Sequence, residues 1–216
     1  MKNEPSSPWL RAVGGRLAAF WPLKFLGLSA GMTLFFLAYF RLLQHPLRPP
    51  LLMPLTAVDR WIGFQPAALP LYLSLWLYVS LAPALLLTRR ELLHYSLAAL
   101  GLSVTGLGIF LLWPTAVPPP GVTWADDSLF AFLKATDASG NACPSLHVAF
   151  AVFTAFVLGG VLRQLAAGRA AQALNWLWCA GILYSTLATR QHVALDVLAG
   201  TVLGATVALA HQRGVR

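Results

Sequence analysis

The segment PSLHVAFAVFTAFVLGGVL, residues 144–162, decides which kind of fold this chain can adopt. A few polar residues open it, and the apolar run that follows approaches the roughly 20 residues needed to cross a lipid bilayer. The whole chain has the same character, since its 216 residues are 58% hydrophobic and only 10% charged, with a mean hydropathy of +0.69. This composition predicts a membrane protein.

Further apolar runs of this length lie between charged or proline-rich breaks, and together they predict an all-α, polytopic protein with six transmembrane helices. The predicted spans are 24–42, 68–88, 92–113, 144–162, 173–188 and 192–211, of which the fifth is the shortest. We expect a single domain over 1–216, with a cytoplasmic or interfacial segment at 1–23. A short helix is also predicted over 127–135, in the loop before the fourth span.

The distribution of basic residues predicts the orientation. An even number of spans places both termini on one side, and most Lys and Arg residues fall on that side, which indicates the cytoplasm. The formal net charge of +8 is then explained by topology and by contact with anionic lipids rather than by nucleic acid binding. We expect an integral protein of a bacterial inner or plasma membrane, and the sequence identifies no protein partner.

Two polar clusters occur at predicted helix ends on the external face. In the first, Pro144 suits the first helical position, and the free N–H groups of a helix start bind phosphate readily. Ser145 adds a hydroxyl donor there, and His147 lies in the same first turn. Cys143 is close by, but its separation from Cys179, the other cysteine, argues against a disulfide.

The second cluster contains His192 and Asp196, four residues apart. On a helix these side chains share a face, so the carboxylate can accept a hydrogen bond from one imidazole nitrogen and orient the other. An aspartate at membrane depth is costly unless it is paired, which marks Asp196 as a functional candidate.

These motifs resemble a known family. PSLH at 144–147, followed by STxxTxxHxxxDxxxG at 185–200, resembles the second and third motifs of the type 2 phosphatidic acid phosphatase superfamily. The closest resemblance is to its branch related to inositol phosphorylceramide and sphingomyelin synthases. The better-known phosphatases have glycine where Leu146 stands and arginine where Thr186 stands. The absence of that arginine and of the family's Lys-x6-Arg-Pro motif favours the synthase-like branch.

The resemblance implies a role for each site residue. His192 would attack phosphorus to form a phosphohistidine, with Asp196 orienting it. His147 would protonate the leaving alcohol and then activate the acceptor, while Ser145 and the nearby backbone amides hold phosphate oxygens. This chemistry requires no cofactor and no metal.

The phosphate-clamping cations of the family are missing from their usual places, and three arginines are candidate substitutes. A Lys-x6-Arg-Pro motif is expected shortly before the second motif, where this chain reads PTAVPPP at 114–120. Arg41 and Arg48 reproduce the spacing with Pro49, but at the end of the first span. Arg190 lies two residues before His192, and its alternative role is an interfacial anchor.

The sequence therefore predicts a membrane lipid phosphatase that hydrolyses a lipid phosphate or pyrophosphate on the extracytoplasmic face. Transfer of the phospho-head group to a lipid or alcohol acceptor is the principal alternative, because the same intermediate serves both reactions. A zinc hydrolase using His147, His192 and Asp196 as ligands is a third possibility, because two histidines and a carboxylate can bind zinc. A non-catalytic lipid-binding protein is the fourth.

Overall fold

The computed structural model describes residues 8–119 and 140–215, which are mostly helical. The elements in chain order are α1 (Pro8–Ala18), α2 (Trp21–Gln44), β1 (Leu51–Leu52), α3 (Ala57–Ile62), a 3₁₀ turn (Pro66–Ala68), α4 (Leu69–Leu73), α5 (Leu75–Ala84), α6 (Arg89–Leu112), β2 (Thr115–Ala116), α7 (Leu146–Gln164), α8 (Arg169–Ala188) and α9 (Ala194–Val215). The all-α class agrees with the prediction. The helix predicted over 127–135 lies outside the described residues.

Five helical segments of the described chain are long and apolar enough to cross a membrane. They are Trp21–Gln44, Pro66–Ala84, Arg89–Leu112, Leu146–Gln164 and Ala194–Gly214. The fifth predicted span is helical, as α8, but does not belong to this set, so six transmembrane spans are not confirmed. One polar residue of α8, Asn175, is buried between helices, where its side chain bonds the Tyr78 hydroxyl and the Ala155 carbonyl.

The core of the protein surrounds α7. In the apolar 18-residue stretch of α7, 67% of the residues are buried inside the protein. In the matching 18-residue stretch of α2, none are buried. A helix that is apolar on all sides must be covered by neighbouring helices or by lipid. Here α5, α8 and α9 pack against α7, and α2 lies at the periphery, where Leu34 and Leu37 are exposed.

Capping residues set the starts of two other helices. Thr88 and Glu91 form a capping box at the start of α6, in which each side chain bonds a backbone N–H of the other residue. Thr56 and Asp59 form a second capping box at the start of α3. Each box satisfies N–H groups that have no partner within the helix.

The two ends of the bundle differ. At one end, Arg16 of α1 donates to the Leu85 carbonyl and to Gln164 Oε1, and Lys24 donates to the carbonyls of Arg16 and Ala84. At the other end, β1 pairs with β2 in parallel, and Asn141 donates to the Tyr39 carbonyl. Both ends of the described chain lie at the Arg16 end. The starts of α7 and α9 lie at the opposite end.

Candidate active site

Ser145 precedes the first residue of α7 and forms one side of the candidate site. Its hydroxyl oxygen accepts a hydrogen bond from the Val148 N–H at 3.2 Å, and its backbone is extended. Serine is favoured at this N-cap position because its oxygen satisfies an N–H of the first turn. Pro144 therefore precedes the helix, and the prediction that it occupies the first helical position is wrong.

His192 and Asp196 approach each other, although not on one helix face. His192 lies in the turn before α9, and its Nδ1 is 3.6 Å from Asp196 Oδ2. The same oxygen accepts a hydrogen bond from the Val193 N–H at 3.0 Å. This capping bond begins α9 at Ala194, two residues after His192, near which the start of the sixth span was predicted. The 3.6 Å separation is longer than a hydrogen bond.

The turn that carries His192 is tightly held. Both Gln191 and His192 donate their backbone N–H to the carbonyl of Thr186, each at 3.1 Å. Arg190 has a left-handed backbone, with φ of +55°. This conformation is unfavourable for a residue with a side chain, and such strain is concentrated at functional sites.

Close packing of α7 on α9 joins the two polar clusters. The Ser145 N–H donates to the Asp196 carbonyl at 3.0 Å. A Cβ atom on Gly200 would overlap the Ser145 carbonyl oxygen, and one on Gly204 would overlap that of Ala149. Glycine at these two positions therefore lets the helices approach closely enough to place Ser145 beside Asp196.

His147 is held by aromatic residues of α4 and α5. Its ring stacks on Tyr72 with centroids 4.1 Å apart and an angle of 13°, and Trp76 lies edge-on at 6.4 Å. His192 is near enough to act electrostatically on His147. The structure thus brings the two imidazoles within electrostatic range of each other, one held by stacking and one by the turn before α9.

Several buried polar atoms at this place lack a protein partner. Among the described residues these are His147 Nε2, Gln191 Nε2, His192 Nδ1 and Asp196 Oδ1. Burying an unsatisfied polar atom costs about 1–3 kcal/mol. A cluster of such atoms is expected where a polar ligand completes the hydrogen bonds.

Comparison with known proteins gives the family. The family model of the PAP2 superfamily matches residues 92–215, which is more than half of the chain. The chain belongs to the PAP2 superfamily. No curated protein and no solved structure matches it.

PAP2 membership indicates an enzyme with phosphatase- or phosphotransferase-type activity on phosphate esters. Together with the apolar helices, it fits a membrane protein. The matched region contains Ser145, His147, Arg190, His192 and Asp196. Arg41 and Arg48 precede the matched region.

The arginines predicted to bind phosphate differ in position. Arg190 is half-buried and belongs to the turn that carries His192. Arg41 and Arg48 are exposed at the same end of the bundle as the PAP2 motifs. In the described part of the chain, no hydrogen bond or ion pair connects either of them to the imidazoles. Arg190 is therefore close to His192 along the chain, whereas Arg41 and Arg48 lie in a distant part of the sequence, outside the matched region.

Cys143 lies next to Asp196, outside the helices. Burial, and after it the nearby Asp196 carboxylate, raise the pKa of the Cys143 thiol to about 11. The thiol is therefore protonated near neutral pH and is a poor nucleophile there. Both cysteines are free, in agreement with the expectation that no disulfide joins them.

Sequence reasoning missed two residues that contact the site from outside the matched PAP2 region. Tyr72 stacks on His147, and Asp59 Oδ1 accepts a hydrogen bond from the Ala194 N–H at 2.8 Å. Neither residue belongs to a catalytic motif. For Asp59 the sequence offered one signal, the capping box with Thr56, and for Tyr72 it offered none. Over residues 8–119 and 140–215, no three His, Cys, Asp or Glu side chains are grouped to hold a metal ion.

Proposed function

We propose that this PAP2 protein is a lipid phosphatase acting through a phosphohistidine on His192. The observation that carries the proposal is the junction of α7 and α9, where the Ser145 N–H bonds the Asp196 carbonyl and places a helix N-terminus beside His192. A helix N-terminus favours a bound phosphate through its free N–H groups and the positive end of the helix dipole.

In the first step, His192 Nε2 attacks phosphorus, because Nδ1 faces the Asp196 carboxylate. The bond from phosphorus to the lipid oxygen breaks, and His147 gives that oxygen a proton. Asp196 holds the His192 ring and stabilises its positive charge. Contacts of this kind are often long without substrate and shorten in the reactive complex, which agrees with the 3.6 Å separation.

In the second step, His147 takes a proton from water, and the resulting hydroxide attacks the phosphohistidine. The nitrogen–phosphorus bond breaks, inorganic phosphate leaves, and His192 is regenerated. The Ser145 hydroxyl and the N–H groups of Leu146 and His147, the first two residues of α7, stabilise the phosphate oxygens, and the Arg190 guanidinium neutralises part of their charge.

We place the site on the extracytoplasmic face of the membrane. The end of the bundle opposite the site holds both ends of the described chain and the basic residues Arg16, Arg89, Arg90, Arg163 and Arg213. An excess of basic residues marks the cytoplasmic side. The phosphate group of the substrate would then lie at the external surface of the membrane.

Transfer of the phospho-head group to a second lipid is the alternative function. Thr186 and Leu146 depart from the phosphatase motifs and support the synthase-related branch. Inorganic phosphate should be released from dioleoyl phosphatidate in detergent micelles without an acceptor. Loss of phosphatidate that requires added ceramide, and that yields ceramide phosphate instead of inorganic phosphate, would assign the protein as a transferase.

Three further measurements test the chemistry. His192→Ala should abolish turnover, whereas the matched variant His45→Ala, at an exposed histidine at the end of α2, should retain it. Activity should survive EDTA, and loss with EDTA that zinc restores would favour the zinc hydrolase. Lipid exchange with no phosphate release from any substrate would favour a lipid-binding protein.

A further inference from the structure

The loop after β1 is attached to the segment that carries His192. Asp59, on α3, is 3% exposed, and both of its carboxylate oxygens are used. Oδ2 accepts hydrogen bonds from the N–H and the hydroxyl of Thr56, each at 2.7 Å. Oδ1 accepts from the Ala194 N–H at 2.8 Å. One carboxylate therefore caps its own helix and also the start of α9.

A second contact holds the other end of the same segment. The Gln65 N–H donates to the carbonyl of Ala188, the last residue of α8, at 2.7 Å. The Gln65 side chain accepts a hydrogen bond from the Tyr184 hydroxyl at 2.6 Å. Asp59 and Gln65 thus fix the chain on both sides of the turn that contains His192.

We infer that Asp59 is a positioning residue for His192. This inference rests on the proposed function, because it assumes that the orientation of His192 limits the reaction. Ala194 is the first residue of α9, so its N–H has no partner within the helix. Asp59 supplies that partner as a buried charge at the positive end of the helix dipole, where a carboxylate bonds strongly.

The position of Ala194 determines the position of His192. Only Val193 separates them, and its N–H is already bonded to Asp196. Loss of the Asp59 bond would free the start of α9 and let the His192 ring move relative to the phosphate site. A misplacement of about 1 Å can lower a rate about 100-fold when geometry governs the reaction.

The experiment compares Asp59→Ala with a matched variant at the other end of the bundle. Glu91→Ala breaks the same kind of capping box in α6, far from the start of α9. We expect Asp59→Ala to lower kcat about 10- to 100-fold, with KM changed less than about threefold, because substrate contacts remain while the nucleophile is misplaced. Glu91→Ala should keep the wild-type kcat.

Two additional variants separate the roles of the two carboxylate oxygens. Asp59→Asn retains an oxygen that can accept from Ala194 and should recover most of the kcat lost in Asp59→Ala. Thr56→Val removes the threonine hydroxyl but keeps the bond to Ala194, and should also retain most activity. The kcat values of these two variants test the role of Asp59 even if Asp59→Ala folds poorly.

Hydrogen exchange provides a readout that does not depend on the chemistry. In Asp59→Ala, the amides of residues 188–196 should exchange faster than in Glu91→Ala. The inference is overturned if Asp59→Ala and Glu91→Ala have equal kcat per folded protein, or if Asp59→Asn is as impaired as Asp59→Ala. An active His192→Ala variant would refute the proposed function instead, and the exchange result would still decide whether Asp59 holds the turn.

Discussion

At the scale of single residues, the candidate site depends on how two imidazoles are held. Sequence spacing predicted that Asp196 approaches His192, and the two side chains do lie 3.6 Å apart. Spacing could not show that His192 precedes the helix, because the start of α9 is set by hydrogen bonds that the Val193 and Ala194 N–H groups donate to Asp196 and Asp59. The stacking of Tyr72 on His147 left no sequence signal, since 75 residues separate them along the chain.

Asp196→Asn should lower kcat by about 100-fold or more, with little change in thermal stability. The amide keeps the size of the carboxylate, and its oxygen can still accept from the Val193 N–H. It carries no charge to stabilise a positively charged His192 ring and can favour the wrong tautomer of that ring, and in a comparable triad the same substitution costs about 10,000-fold. Phosphate release from dioleoyl phosphatidate measures the effect, and wild-type turnover would remove Asp196 from the mechanism.

Tyr72→Leu should lower kcat about tenfold relative to Tyr72→Phe, because an aromatic pair contributes about 0.5–1.5 kcal/mol beyond its buried area. Phenylalanine keeps the ring that stacks on His147, and leucine does not. Steady-state kinetics of the two variants, corrected for folded protein, make the comparison. Equal kcat values would show that stacking does not position His147.

At the scale of elements, the contact between α7 and α9 forms the candidate site. The sequence predicted both helices, but it did not predict that their starts would bond directly. Gly200 closes the STxxTxxHxxxDxxxG motif. Its structural role is visible only in the structure, where the Ser145 carbonyl occupies the space that a side chain at position 200 would need. Helix existence follows from local hydropathy, whereas the distance between helices depends on which small residues face each other.

Gly200→Ala should destabilise the protein by about 1–3 kcal/mol, as overpacked sites do, and should lower activity because Ser145 must move. Gly101→Ala is the matched control, since a Cβ there meets nothing within 4 Å. The control should be as stable as the wild type, or more stable by up to about 1 kcal/mol, since alanine favours helix over glycine. Thermal unfolding in detergent tests both variants, and equal melting temperatures would contradict the close approach.

At the scale of the whole molecule, the bundle has a site end and an Arg16 end. The orientation is testable with a membrane-impermeant maleimide in intact cells, in a Cys143→Ser background that still contains the buried Cys179. We expect labelling of Trp61→Cys, at an 86% exposed position of α3, and none of Arg90→Cys at the opposite end until the membrane is opened. The reverse pattern would place the site in the cytoplasm.

The sequence by itself determined the all-α class, the apolar helices and the identity of most polar residues at the site. These features are local, because hydropathy and helix caps depend on residues that are close along the chain. Only the tertiary structure decided how closely α7 approaches α9, which aromatic ring holds His147, and that Asp59 caps a helix 135 residues away. Such contacts arise from packing between distant segments, and no local pattern encodes that packing.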